Sequence, residues 1–213
     1  MIAIHPWVEE EVPEPLARKH ELVAALRLLG EVSARLDARS ISSEELRRLT
    51  ECCHDLGREA AVLPSLDARE RSLEAGDMES RLVERGPISG RSNPVAPPLR
   101  MDAVGPGGIV RASAVFGSSF EGPSGMVHGG ALLAAFDEVL AFGQVPSGHI
   151  GMTATVTVRL LGPVPLHERV EFTAGTDRVE GRKIFAWAHA YVGVRLAAEA
   201  TATCIKPRQR EAT

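Results

Sequence analysis

The 213 residues fit one domain or two small ones, and a 44% hydrophobic share beside 24% charged residues is ordinary for a globular chain able to bury a core. A formal charge of −4 and a single Tyr exclude the basic face of a nucleic-acid binder. The charge is unevenly shared: residues 1–86 carry 12 Lys and Arg against 18 Asp and Glu, a net −6, whereas residues 87–213 carry 12 against 10, a net +2.

In chain order, Met1 to Trp7 runs into Glu9, Glu10 and Glu11, without the basic start and apolar stretch of a secretory leader. No apolar run approaches the roughly 20 residues that span a bilayer, so no membrane span and a cytoplasmic location are expected. From Leu16 to Leu36, Leu22, Leu26, Leu29, Val32 and Leu36 form an apolar stripe that predicts a helix. Ser42 and Glu45 are spaced like a capping box and open a second helix through Leu46, Leu49, Cys53 and Leu56. The pair is too small for a large core, so it is expected to pack on the rest of the chain or on a partner chain. Pro87, Pro94, Pro97 and Pro98 break any helix between Gly86 and Pro98. This places a boundary between an acidic helical extension, residues 1–86, and a second domain, residues 87–213.

Gly105 to Gly108 precedes a strand and lacks a Lys-Ser/Thr pair, which reads as a turn and not a phosphate loop. Val110 to Phe116 supplies that strand. The segment Glu121-Gly-Pro-Ser-Gly-Met-Val-His128-Gly129-Gly130 then runs straight into Ala131-Leu-Leu-Ala-Ala-Phe136-Asp137-Glu138. Leu132, Leu133, Phe136, Leu140 and Ala141 recur at helical spacing, so one face of this second-domain helix is core. The first turn of a helix has backbone N–H groups without intrahelical partners and a partial positive charge. Such donors stabilise a carbonyl oxygen that gains charge under attack. Gly129 and Gly130, without a Cβ, let a ligand approach that backbone. A His-Gly-Gly alone is a turn before a helix, and Asp137-Glu138 alone is a solvated helix face. Together they point to chemistry, because an acid in the middle of an apolar helix is costly to bury without a partner or a task.

After the helix, Thr153-Ala-Thr-Val-Thr-Val-Arg alternates strictly and fits a half-buried strand, stopped by Pro163 and Pro165. Val170 to Ala174, Lys183 to Val192 and Leu196 to Ile205 are further strands. One or two strands, one long helix, then several antiparallel strands predict an α+β fold with a curved sheet wrapped around the helix. Cys52 and Cys53 are adjacent and Cys204 is distant, which gives no disulfide framework. The histidines lack metal-ligand spacing, so no metal site and no cofactor are expected.

The string from Glu121 to Gly130, the Phe136-Asp137-Glu138 step, Met152-Thr153-Ala154, Gly162 to Leu166 and Gly181-Arg182-Lys183 occur in an order that resembles the hotdog-fold acyl-CoA thioesterases of the phenylacetate-pathway (PaaI) and thioesterase-superfamily-member type. The resemblance covers residues 87–213. It implies hydrolysis of an acyl-CoA thioester to a carboxylic acid and CoA, with Asp137 activating water or attacking the carbonyl. It further implies that the Gly130 amide holds the thioester oxygen, that His128 orients the group and that Thr153 positions water or the aspartate. Arg182 and Lys183 correspond to a segment near the nucleotide end of CoA. One departure stands out: many relatives carry a polar residue six positions before the histidine, where this chain has Gly122.

A homodimer or dimer of dimers is expected, because Gly130 and Asp137 are separated by roughly 10 Å along one helix at a 1.5 Å rise, and one carbonyl cannot easily touch both. The alternative function is a non-catalytic hotdog protein that binds acyl-CoA as a sensor or carrier; a dehydratase on the same fold is a weaker third reading. Asp137 discriminates, since a binding module has no need of a carboxylate aimed at the thioester carbon.

Overall fold

The computed structural model describes residues 14–64, 84–97 and 99–208. Two helices come first, α1 (Glu14–Ala34) and α2 (Ser43–Ala61), followed by strands β1 (Arg100–Val104) and β2 (Val110–Val115). The helix α3 (Gly129–Gln144) precedes β3 (Met152–Leu160), β4 (Arg169–Glu180), β5 (Lys183–Val192) and β6 (Arg195–Ile205). The strands form one six-stranded sheet in the order β1-β2-β4-β5-β6-β3, antiparallel throughout. It curves around α3, which touches β2, β3, β4, β5 and β6. This is the α+β arrangement that the strand-helix-strand pattern predicts.

Close packing of helix on sheet explains the composition of the strands. The sheet face toward α3 carries Ala174, Ala186, Ala188, Ala190, Ala198, Ala200 and Ala202, all buried. Small side chains let the helix come close: a Cβ on Gly143 would lie 2.9 Å from the Cβ of Ala174. Larger groups fill the flanks, with Phe136 of α3 edge-on to Phe172 of β4 at 5.6 Å between ring centroids. Such aromatic pairs add about 1 kcal/mol beyond area burial.

Three local expectations are corrected. The strand expected at Val170 to Ala174 runs on to Glu180, because Gly175 is not a turn: it makes room for the Trp187 ring of β5, which would lie 3.2 Å from a Cβ there. The alternation from Thr153 is not strict. A register shift between Thr153 and Thr155 against β6 gives a bulge at Ala154, so Thr153 faces α3 together with Val156 and Val158. Bulges re-aim side chains in this way. Strand β1 was not expected, since only Met101 of its five residues is buried and no alternation marks it.

The capping box of α2 forms as its sequence predicts: Glu45 N–H donates to Ser42 Oγ and Ser42 N–H to the Glu45 carboxylate. Of the two expected placements of the α1 stripe, on the rest of the chain or on a partner chain, the single chain does not supply the first. Leu22, Leu29, Val32 and Leu36 are exposed, and the buried residue is Val23. Polar contacts on the Val23 side hold the helix: Arg27 donates to the carbonyls of Gly90 and Asn93 at 2.9 and 2.8 Å, and Glu31 accepts from Ser119 N–H at 3.4 Å. His20 meets Glu84 at 2.8 Å. No described helix is long and apolar enough to cross a membrane.

Candidate active site

The loop before α3 is built on its backbone. Gly122 N–H donates to Met126 C=O at 2.8 Å, and Glu121 Oε1 accepts from Gly125 N–H at 2.7 Å, with Gly125 at a φ of 73° that favours glycine. Val127 N–H reaches Val164 C=O and His128 N–H reaches Phe120 C=O, each at 2.8 Å. The Gly122 departure has a steric cause here. A Cβ at that position would lie 2.8 Å from His128 Cα, so this loop admits no side chain there without shifting.

His128 is the N-cap of α3, and its Nδ1 accepts the Gly130 N–H at 3.0 Å. The neutral ring therefore carries its proton on Nε2. Gly129, Gly130 and His128 sit at the Leu160 end of β3, since a Cβ on Gly129 would lie 3.3 Å from Leu160 Cδ1. Asp137 lies farther along α3 with its side chain exposed, and Glu138 beside it is half-buried. Glu138 accepts a hydrogen bond from Ser89 Oγ. Burial pushes the Glu138 carboxyl above the usual carboxylate range; the Ser89 bond opposes that shift and the Asp137 charge adds to it.

Thr153 sits opposite Cys204 in the β3–β6 register. The Cys204 thiol is buried and pushed up by that burial; Thr153 and Gln144 oppose the shift and the Asp137 charge adds to it. Thr153, Cys204 and Gln144 thus lie at the start of β3, whereas His128 to Gly130 lie at its other end and Asp137 lies between them along α3. Seven residues of strand separate Thr153 from Leu160, which at about 3.3 Å each is roughly 23 Å. One chain does not bring the two groups together.

Arg182 and Lys183 lie in the β4–β5 hairpin and are exposed. Lys183 pairs with Ile205, which pairs in turn with Met152, so both basic residues share the Thr153 end of the sheet. Arg182 donates twice to the Lys206 carbonyl, at 3.1 and 2.8 Å. Gln144 and Cys204 escaped the sequence reading. The available signal was a lone amide seven residues beyond Asp137, on the same helix face.

No protein-family model matches the chain. Over 69 residues, 32% of this chain, it is 36% identical to acyl-coenzyme A thioesterase THEM4 of Xenopus laevis and of Bos taurus. That segment spans 31% and 28% of those relatives' own lengths. A crystal structure of a thioesterase superfamily protein superimposes with a TM-score of 0.74 at 23% identity, covering 88% of this chain and 94% of that one. The chain has the hotdog fold of that thioesterase superfamily protein, and a segment of its sequence is similar to acyl-CoA thioesterases.

Proposed function

We propose that the protein is an acyl-CoA thioesterase, with residues 87–213 as the catalytic domain and residues 1–86 as an extension. The observation that carries this reading is the loop-to-helix geometry at the start of α3, where His128 caps the helix and its Nδ1 accepts the Gly130 N–H at 3.0 Å, with Asp137 exposed farther along the same helix. Similarity to the THEM4 thioesterases supports the substrate class. In the reaction R–CO–S–CoA and water give R–COOH and HS–CoA. Asp137 takes a proton from water as it attacks the carbonyl carbon, or attacks that carbon itself; the Thr153 hydroxyl positions whichever oxygen reacts. The C–S bond breaks and the thiolate leaves, taking the proton that Asp137 gained from water or, after direct attack, one from solvent; in that second route water then hydrolyses the Asp137 mixed anhydride to R–COOH and the free carboxylate.

The α3 N-terminus supplies the oxyanion donors. In the free protein the Gly130 N–H is held by His128 Nδ1, so an arriving thioester oxygen displaces the ring and takes that N–H. Gly129, lacking a side chain, leaves the approach open. The displaced imidazole then offers its Nε2–H to the acyl group. Arg182 and Lys183 supply positive charge for the CoA phosphates at the Thr153 end.

The site is completed by a second chain. β3 is an edge of the sheet with Met152, Thr155, Thr157 and Leu160 exposed, and long open edges invite pairing. Antiparallel pairing of two β3 strands near Val156 sets the Leu160 end of one chain beside the Thr153 end of the other. His128 and Gly130 of one chain then face Asp137 and Thr153 of its partner.

Release of free thiol from a panel of acyl-CoAs tests the activity. Asp137→Asn should keep acyl-CoA binding and lose roughly 10²-fold or more in kcat, as expected for a lost proton acceptor. Near-normal turnover by that variant removes Asp137 from the chemistry, and a wild type that binds acyl-CoA without releasing thiol is a carrier or sensor.

A further inference from the structure

Gln144 ends α3 and is fully buried, at 0% exposure. Its Oε1 accepts the Gly151 N–H at 3.0 Å and its Nε2 donates to the Leu140 carbonyl at 3.4 Å. Gly151 leads into β3 and lies flat against the end of β6, where a Cβ would be 2.9 Å from the backbone N and C of Ile205. Two residues later comes Thr153, and the bulge at Ala154 separates this segment from the regular β3–β6 ladder. The ladder pairs Met152 with Ile205 and Thr153 with Cys204, and Gly151 stands just before its first pair. What ties this entry to the end of the helix is the Gln144 amide, whose Oε1 accepts the Gly151 N–H.

We propose that Gln144 is a positioning residue: by holding the Gly151 N–H it fixes the start of β3 against the helix that carries Asp137, and so sets the Thr153 hydroxyl against the Asp137 carboxylate. The inference rests on the thioesterase reading. Burial of an amide costs desolvation unless its atoms are bonded. A methionine of similar length would fill the space without that cost but would leave the Gly151 N–H unpaired. The amide is therefore suited to placement more than to filling.

The test uses the full chain. Gln144→Met should lower kcat roughly tenfold or more with KM within about twofold, because small misplacements of reacting groups are costly. In a Thr153→Ala background the same change should cost no more than about twofold, since the two residues act along one path. Gln144→Glu, whose carboxyl accepts from the Gly151 N–H whether neutral or ionised, should keep more kcat than Gln144→Met at every pH compared. If Gln144→Met does not fold, Gln144→Leu takes its place in the same measurements. Amide exchange at Gly151 should quicken in Gln144→Met and not in Thr153→Ala. Unchanged kcat and unchanged Gly151 exchange overturn the inference, as does an equal loss with and without Thr153. A wild type that releases no thiol defeats the functional reading, and Gly151 exchange then judges the Gln144 tie by itself.

Discussion

Glu138 and Asp137 are neighbours on one helix with opposite surroundings. Asp137 is exposed, while Glu138 turns toward the segment before β1 and meets Ser89. Burial raises the folded-state pKa of Glu138 above its unfolded value. The folded protein therefore holds the extra proton between those two values. Stability from this group is full below the unfolded pKa and is lost as the pH climbs through the folded one. Glu138→Gln should thus raise the melting temperature at neutral pH and above, with little change near pH 4, which thermal melts across that range would check; equal effects at both ends would contradict it. Gly122 is the other residue where a single atom decides. A Cβ 2.8 Å from His128 Cα forces the loop to shift, and overpacking of this kind costs about 1–3 kcal/mol. Gly122→Ala should lower stability by that amount in denaturant melts and displace the His128 cap. A Gly122→Ala chain as stable as wild type would mean that the loop yields freely.

At the level of elements, legibility followed periodicity. The bounds of β5 were readable to the residue, because Lys183 to Val192 alternates against a buried row of alanines. Helix α3 was readable from its apolar recurrence, and His128, Gly130 and Asp137 from the motif at its start. The bulge that turns Thr153 toward α3 depends on pairing with β6, which no local pattern records. The Gln144 contact likewise joins the end of α3 to the entry of β3 across a turn. Helix α1 shows the opposite failure: a visible leucine stripe stays exposed, and the docked side is held by Arg27 and Glu31 through polar bonds. Because Val23 is the one residue of α1 that is buried, a chain beginning at Pro87 should keep the sheet and α3. Circular dichroism and thiol release would check it, the expected outcome being folded protein with measurable hydrolysis. Insoluble protein would show that the extension covers apolar surface the domain needs hidden.

For the whole molecule the decisive feature is that one chain separates what the reaction needs together. His128, Gly129 and Gly130 cluster at the Leu160 end of β3, Thr153 and Cys204 lie at the other, and Asp137 lies partway along α3 between them. A two-fold axis through an antiparallel β3 pair resolves the separation twice, because an isologous contact creates two equivalent sites. In the proposed dimer each site takes His128 and Gly130 from one chain and Asp137 and Thr153 from its partner. Mixing two impaired variants tests this. Asp137→Asn homodimers lack the base in both sites, and His128→Ala homodimers lack the orienting ring in both. A heterodimer of the two concentrates both defects in one site and leaves the other intact. With equal amounts and full exchange, half of the dimers are mixed and each has one good site, so about a quarter of wild-type activity should return by that symmetry. No gain above the activities of the separate variants, with subunit exchange confirmed by mass spectrometry, would mean that His128 and Asp137 act within one chain and that β3 pairing is not what completes the site.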